Sequence, residues 1–199
     1  MRLTKKIVSL LTTAALVASL TACGGASNTS SDASKSGSDS GSKKYRIGIC
    51  QLVEHEALDA ATKGFKEAVT KELGADNVEF DEQNAQGEST NCSTICNGFV
   101  TDNVDLIMAN ATGALQAAVS STSDIPIVGT SVTDYGTALN MKDWTGKTGT
   151  NVTGTSDLAP IDQQEKMILE VLPNVKTVGI AYCSSEPNSS YQADKMKEA

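Results

Sequence analysis

Apolar positions along the chain alternate between two periods, and this alternation predicts the order of its elements. Residues 45–51 show a strand-like pattern, and residues 56–73 place apolar side chains at helical spacing before a stop at Gly74. The same pair of patterns then recurs. Further strands are predicted at 78–81, 105–109 and 125–128, and further helices at 89–101 and 113–121.

Strands that alternate with helices predict an α/β fold with a parallel sheet, because each parallel crossover needs a connecting helix. We expect helices on both faces of this sheet and assign residues 45–154 to a first α/β lobe. The alternation restarts after 154, with a helix at 163–172, a strand at 175–182 and a helix at 189–199. So few elements would leave sheet edges open. We therefore expect 155–199 to be the start of an incomplete second α/β lobe, and the chain to be a fragment.

Residues 1–22 have the pattern of a secretory signal, with basic residues at Arg2, Lys5 and Lys6 ahead of an apolar run. The run is short and rich in threonine for a membrane span. It ends in Leu-Thr-Ala-Cys23, which resembles the bacterial lipobox, where the cysteine sulfur receives a diacylglyceryl group. We expect Cys23 to be lipidated and to anchor the protein in the lipid bilayer. An ordinary signal peptide with an incidental cysteine is the alternative.

Residues 23–44 contain almost only small and polar side chains, which predicts a flexible tether. The 199-residue chain has 16 Lys and Arg against 24 Asp and Glu, a net charge of −8. Nucleic-acid binding needs a basic surface, so this charge argues against a nucleic-acid partner.

Polar residues are concentrated in the loops that follow the predicted strands, where open α/β sheets bind ligands. With the lipobox, seven short motifs resemble the ABC-transporter substrate-binding lipoproteins of the tryptophan/tyrosine type in order and spacing. They are EHEALD at 54–59, NAQG at 84–87, ATGALQA at 111–117, IPIV at 125–128, VTD at 132–134, NVTG at 151–154 and EPNS at 186–189.

This resemblance implies a two-lobe periplasmic-binding-protein-like fold that closes on a small solute by hinge motion. The lobes would cross over near residues 151–157. The protein would be held at the extracytoplasmic face of the cell membrane and deliver its solute, an aromatic or other amino acid, to an ABC permease. The family performs no chemistry, so the resemblance implies neither an enzyme nor a cofactor.

The same resemblance implies a set of ligand-binding residues in the strand-end loops. They are His55, Asn84, Gln86, Thr112, Gln116, Thr133, Asp134, Tyr135, Glu186 and Asn188. Thr112 would begin a helix and receive the ligand carboxylate through its hydroxyl and the free backbone N–H groups. Asp134 or Glu186 would pair with the α-ammonium group.

His55 and Tyr135 would face the ligand side chain, and Tyr135 stands where the family often has proline. Each assignment has a structural alternative. Thr112 could be a plain N-cap, Asp134 a turn residue and His55 a polar helix start. Asn84 and Gln86 line the cleft or cap strand ends.

Other functions fit the residues less well. A hydrolase would need a Gly-x-Ser-x-Gly motif, which the sequence lacks, and its one histidine would have to serve every triad role. Gly146-Lys147-Thr148 has Met141 where a phosphate loop needs its first glycine. A ligand-sensing lipoprotein that signals to a membrane receptor remains an alternative.

Beyond Cys23 the chain has four cysteines, Cys50, Cys92, Cys96 and Cys183. Cys92 and Cys96 are neighbours on one predicted helix face, at a separation near the upper end of what a disulfide permits. A metal site would want more ligands. We interpret these residues as buried thiols, with a thiol-based metal or redox module as the alternative, and expect Cys50 and Cys183 to face the cleft.

Overall fold

The computed structural model describes residues 43–198 and contains one sheet of five parallel strands. The strands are β1 (Tyr45–Gln51), β2 (Val78–Asn84), β3 (Leu106–Asn110), β4 (Ile127–Val132) and β5 (Val152–Ser156). Their order in the sheet is β2-β1-β3-β4-β5, and every neighbouring pair is parallel. The predicted parallel α/β architecture is therefore confirmed for this part of the chain.

Six α-helices connect and flank these strands in residues 43–198. They are α1 (Glu56–Leu73), α2 (Ser89–Thr101), α3 (Thr112–Ser121), α4 (Tyr135–Ala138), α5 (Ile161–Val171) and α6 (Pro187–Glu198). The longest, α1, begins where His55 Nδ1 accepts the Ala57 backbone N–H at 3.2 Å, and it ends where Gly74, at φ 86°, donates its N–H to the Thr70 carbonyl at 2.9 Å.

The sheet buries apolar side chains on both faces, as alternation along parallel strands requires. On the α1 face, Ile49 and Met108 pack against Phe65 and Val69. The face covered by α2 and α3 carries a larger cluster that includes Phe99, Ile107, Leu115 and the thiols of β1 and α2. The Phe99 ring lies so close to β1 that a Cβ on Gly48 would come within 2.6 Å of it, so the helix packs there because residue 48 has no side chain.

Two strand assignments differ from the sequence prediction. Residues 152–156 form β5 and extend the first sheet, although most of these side chains are exposed and give no hydrophobic signal. Residues 175–182 were expected to form a strand and do not pair with any described strand. A strand exists through its hydrogen-bonded partner, so an alternating pattern alone does not create one.

The last two helices contact each other, and α6 also lies against α4. Several apolar side chains in this region are exposed, with Val171 at 70% the most accessible. The assignment of residues 155–199 to a second lobe stays a prediction, as does the 45–154 boundary of the first.

The expected signal peptide, tether and lipidated Cys23 lie outside the described residues. Among residues 43–198, no helix combines the length and the hydropathy that crossing a membrane requires.

Candidate functional site

Three neighbouring strands end in side-chain amides at one edge of the sheet. Gln51, the last residue of β1, is in register with Asn84 at the end of β2 and with Asn110 at the end of β3. β1 lies between β2 and β3, so the connections after β1 and β3 leave the sheet toward opposite faces. Ligands of open α/β sheets bind in the crevice at such a point.

Gln51 and Asn110 belong to a buried hydrogen-bond network beneath the start of α1. The Thr62 hydroxyl donates to Gln51 Oε1 at 2.6 Å, and Asn110 Nδ2 donates to Thr62 Oγ1 at 2.9 Å and to the Leu58 carbonyl at 2.8 Å. Gln51 Nε2 donates to Asp59 Oδ1 at 2.6 Å and to the Val53 carbonyl at 3.0 Å. The network therefore fixes the first turns of α1 and the loop that carries His55.

One polar atom of this network has no hydrogen-bond partner among residues 43–198. Asn110 is fully buried, and its Oδ1 accepts no hydrogen bond from the described residues. Buried carbonyl oxygens in proteins nearly always have a partner, which is frequently an ordered water.

Backbone hydrogen bonds join the strand-end loops to one another. The Leu52 N–H donates to the Asn110 carbonyl at 3.2 Å, and the Leu52 carbonyl accepts the Gly87 N–H at 2.8 Å. The Leu52 side chain also covers the first turn of α3, where a Cβ on Gly113 would lie 3.4 Å from Leu52 Cδ1. The loops after β1, β2 and β3 thus meet at Leu52, which brings the segments of His55, Gln86 and Thr112 together.

Helix α3 begins without a side-chain cap. Its N-cap position is Ala111, at φ 93° and ψ 161°, a conformation that favours glycine and costs a non-glycine residue roughly 1–3 kcal/mol. The first helical hydrogen bond runs from the Leu115 N–H to the Ala111 carbonyl, at 3.0 Å. N–H groups that precede such a bond have no partner within their own helix. The positive end of the α3 dipole therefore lies at the carboxyl ends of the strands, and this arrangement suits a carboxylate.

Thr112 is the first residue of this helix and is 5% exposed. It does not act as the N-cap that the alternative reading of the sequence proposed, since Ala111 occupies that position. Gln116, one turn further on, uses its Nε2 to donate to the Ala138 carbonyl at 3.0 Å. This hydrogen bond joins α3 to the end of α4.

The loop after β4 contains Thr133 and Asp134. Asp134 caps α4, because its Oδ1 accepts the Thr137 N–H at 2.7 Å. The Thr133 carbonyl accepts the Ser156 hydroxyl at 2.7 Å, which ties this loop to the end of β5. The turn role that was the structural alternative for Asp134 is therefore observed, and its pairing with a ligand ammonium stays a prediction. Its second carboxylate oxygen makes no side-chain hydrogen bond within residues 43–198.

Tyr135 is packed against Trp144 and the two outer strands of the sheet, β4 and β5. Its ring is 6% exposed and stacks on Trp144, with ring centres 6.3 Å apart. It packs over two glycines that pair across β4 and β5, Gly129 and Gly154, and a Cβ on Gly129 would lie 2.5 Å from the Tyr135 hydroxyl oxygen. The hydroxyl donates to the Thr155 carbonyl at 3.3 Å, and burial raises the pKa of Tyr135 to about 12. Tyr135 is thus almost fully buried, and its contact with a ligand side chain stays a prediction.

The remaining predicted residues take local structural positions. Asn84 Oδ1 accepts the Gln86 N–H at 2.7 Å and shapes a turn in which Gln86 has φ 56°. Glu186 Oε2 accepts the Ser189 hydroxyl at 2.8 Å at the start of α6, and Asn188 lies in the first turn of that helix. His55 is exposed and uses Nδ1 for its cap, so its Nε2 points away from that hydrogen bond.

Two cysteines are not where the sequence placed them. Cys50 was expected to face the cleft, and it is fully buried against α2 because its alternating position on β1 points to the helical core. Cys183 is exposed and follows a segment that forms no strand. Neither position supports a contact with ligand at the strand ends.

Beside the edge strand β5 lies an open cavity of 450 Å³, bounded by Tyr135, Trp144, Lys147, Thr153 and Gly154. Two strands separate β5 from β1 in the sheet, so this cavity lies away from the carboxyl ends of β1 and β3. Within residues 43–198, no group of three His, Cys, Asp or Glu side chains is arranged to hold a metal ion.

Residues 46–199 match the sequence profile of a family described as ABC transporter substrate binding protein. The chain belongs to this family. The expected family and its periplasmic-binding fold class are thereby confirmed.

Individual relatives of this substrate-binding protein carry more specific names. A tyrosine-binding protein from Clostridioides difficile (strain R20291) is 41% identical over 198 residues, which cover 98% of this chain and 56% of that protein. A conserved domain protein from Vibrio cholerae is 39% identical with a TM-score of 0.73, over 78% of this chain and 53% of that one. An ABC domain from Streptococcus pneumonia in complex with L-Trp is 36% identical with a TM-score of 0.73, over the same shares. The chain thus spans about half the length of these relatives.

Sequence reasoning missed the hydrogen-bond network of this substrate-binding protein, in which the exposed Asp59 joins the buried Gln51, Thr62 and Asn110. The signal was present, because Gln51 follows the apolar stretch from Ile47 to Cys50 and Asn110 ends the apolar run of β3. A polar side chain that ends an apolar run, as Gln51 and Asn110 do, already indicates a buried partner.

Proposed function

We propose that the chain is the ligand-binding part of a lipid-anchored, extracytoplasmic substrate-binding protein that delivers an amino acid to the permease of an ABC importer. The observation that carries this proposal is the uncapped start of α3, at Ala111 and Thr112, in the crevice between the ends of β1 and β3. A relative named for tyrosine and a relative in complex with L-Trp support an aromatic amino acid as the solute.

The carboxylate end of the amino acid is assigned to α3. Backbone N–H groups at the first turn of a helix bind anions because they lack helical partners and lie at the positive end of the dipole. The strained Ala111 backbone holds this turn at the sheet edge, and the neighbouring Thr112 hydroxyl adds a donor. Preformed donors of this kind bind without a large ordering cost.

The ammonium end of the ligand is assigned to Asp134, and Glu186 is proposed as a second carboxylate for the same ammonium group. One carboxylate oxygen of Asp134 accepts the helix-cap hydrogen bond, and the other is available for a charge-assisted hydrogen bond with the ligand. His55 lies on the loop after β1, and Leu52 holds this loop against the start of α3. The edge of the His55 ring that carries Nε2 is therefore available to the ligand side chain. Binding and release then require no bond chemistry, and the protein acts as a receptor.

Isothermal titration calorimetry of the chain with L-tryptophan, L-tyrosine and L-phenylalanine tests the solute. Binding of one of these, with weaker or absent binding of glucose and adenosine, is the expected result. Binding of a sugar or nucleoside instead would retain the family and overturn the amino-acid assignment.

Substitutions at two positions test the proposed contacts without removing local structure. Asp134→Asn keeps an N-cap acceptor while removing the charge, because asparagine caps helices as well as aspartate does. We expect it to weaken amino-acid binding by about tenfold or more, the scale of a lost charge-assisted hydrogen bond. Thr112→Val should weaken binding by a smaller factor, and Thr112→Ser should restore it. Equal affinities in all variants would contradict these contacts.

A further inference from the structure

Helix α3 and the segment that follows it in the sheet are joined by hydrogen bonds at two points, one on each side of Asp134. Before Asp134, the Thr130 carbonyl accepts the Ala111 N–H at 3.0 Å. After Asp134, the Ala138 carbonyl accepts Gln116 Nε2 at 3.0 Å. Asp134 therefore lies on a segment that is bonded to α3 at both of its ends.

Helix α4, which begins directly after Asp134, is a single turn and depends on contacts outside itself. A helix of four residues forms too few hydrogen bonds to be stable alone. At its start, Asp134 Oδ1 accepts the Thr137 N–H at 2.7 Å. At its end, the Ala138 carbonyl has no partner within the helix, and the Gln116 side chain supplies one. Gln116 is thus the side chain through which α3 holds the far end of the turn that Asp134 caps.

The proposed function places the two charged ends of the ligand on these two joined elements. The ligand carboxylate lies at the start of α3, and the ligand ammonium lies at Asp134. In an α-amino acid one carbon atom carries both groups, so the two sites have to keep one fixed spacing. A further methylene group between them would move the ammonium by about 1.5 Å, the length of a C–C bond.

We propose that Gln116 is a positioning residue that sets the spacing between the carboxylate and ammonium sites, and that this spacing selects α-amino acids over amino acids with a longer separation. The inference rests on the proposed function. Gln116 does not touch the ligand in this arrangement and acts on it through Ala138 and Asp134. Because the segment around Asp134 is held on both sides, a ligand with one more methylene group loses full contact at one of the two sites.

Isothermal titration calorimetry of the chain with L-tryptophan and with L-β-homotryptophan tests the selection. The second ligand keeps the indole side chain and has one more methylene group between its charged ends. We expect L-tryptophan to bind about tenfold or more tightly than L-β-homotryptophan. Gln116→Met removes the Nε2 donor and should lower this ratio of affinities by about threefold or more. Gln116→Glu, whose carboxylate cannot donate to the Ala138 carbonyl, should lower it as well.

The ratio of affinities separates positioning from a purely structural role. A variant that is only less stable loses folded protein equally for both ligands, so its ratio stays unchanged. Gln163→Met, at an exposed glutamine of α5, is the matched control and should keep the ratio of the unsubstituted chain. Hydrogen exchange gives a measure without ligand, since the Ala138 N–H, bonded to the Asp134 carbonyl at 2.9 Å, should exchange faster in Gln116→Met than in the control.

An unchanged ratio in both Gln116 variants would overturn the proposal, even if α4 exchanges faster. Equal binding of the two ligands by the unsubstituted chain would overturn it too. Tryptamine, which lacks the carboxylate, and indole-3-propionate, which lacks the ammonium group, test the proposed function separately. If either binds as tightly as L-tryptophan, or if no aromatic amino acid binds, the proposed function fails together with this inference. If both bind weakly while the Gln116 variants keep the ratio, only the role of Gln116 fails.

Discussion

The side chains of Gln51 and Asn110, at the ends of neighbouring strands, are joined through one hydroxyl. Thr62 Oγ1 donates to Gln51 Oε1 at 2.6 Å and accepts from Asn110 Nδ2 at 2.9 Å. This places a helix residue between two strand ends, with every group out of contact with water. The start of α1 is consequently fixed to the sheet at the point where the ligand crevice begins.

Replacement of Asn110 by leucine should destabilise the chain by about 2–3 kcal/mol, because Thr62 Oγ1 and the Leu58 carbonyl each lose a buried partner. Urea unfolding followed by circular dichroism measures the loss. Asn97→Ala, at an exposed position of α2, is the control and should stay within about 0.5 kcal/mol of the unsubstituted chain. A similar small effect for Asn110→Leu would contradict a structural role for the network.

The sequence predicted the helices and the inner strands well because burial leaves a periodic signal there. Strand β3 is apolar until its last residue, and α1 alternates with helical period before a glycine stop. The bounds differ where the signal weakens. Strand β4 runs to Val132, beyond the expected end at 128, since Gly129, Thr130 and Ser131 carry no hydrophobic pattern.

The remaining differences between prediction and structure arise from contacts between residues that are distant in sequence. Residues 152–156 join the sheet through hydrogen bonds to β4, which depend on the backbone and not on side-chain type. Tyr135 is buried because Gly129 and Gly154 leave room for its ring, and neither glycine is near it in the motif that suggested a ligand contact. Such cross-strand pairs become visible only when the register is known.

The close contact between the Tyr135 ring and Gly129 leads to a prediction that a second substitution, at Tyr135, can test. Gly129→Ala should cost about 1–3 kcal/mol, because the new methyl group would collide with the Tyr135 hydroxyl oxygen. In a Tyr135→Phe background that atom is absent and the next ring atom is 3.3 Å away, so the same substitution should cost less. A double-mutant cycle from urea unfolding measures the coupling.

The contrasting control is Gly98→Ala on the exposed side of α2, where a Cβ meets no atom within 4 Å. Alanine has the higher helix propensity, so this change should stabilise the chain by about 0.5–1 kcal/mol. Additive effects of Gly129→Ala and Tyr135→Phe would show that the ring and the glycine do not compete for the same space.

Asp105, directly before β3, holds the start of β1 and makes a pH-dependent contribution to stability. Asp105 accepts a hydrogen bond from Lys43 Nζ at 2.8 Å and another from the Arg46 N–H at 2.9 Å, and these hold the pKa of Asp105 below its usual range. A folded-state pKa below the unfolded one stabilises the fold above about pH 4, and this stabilisation is lost as the pH falls through the folded pKa.

Asp105→Asn should therefore lower stability at pH 7 and have less effect at pH 3, with a difference of at most about 1 kcal/mol for so exposed a pair. Urea midpoints at both pH values measure it. Asp143→Asn, in an exposed loop, is measured in the same way as the comparison variant. A loss of stability in Asp105→Asn that is equal at both pH values would contradict the linkage.

Lipidation of Cys23 is the prediction that decides how the protein is held at the membrane. Acyl chains on one cysteine bury enough methylene groups for stable attachment. Cells grown with a labelled fatty acid should incorporate the label into the unsubstituted chain and into Cys183→Ala, and should not incorporate it into Cys23→Ala. Mass spectrometry of the mature N-terminus should find Cys23 as the first residue with a diacylglyceryl group attached. A mature chain that begins elsewhere and carries a free Cys23 thiol would instead identify residues 1–22 as part of an ordinary signal peptide, with the protein released from the membrane.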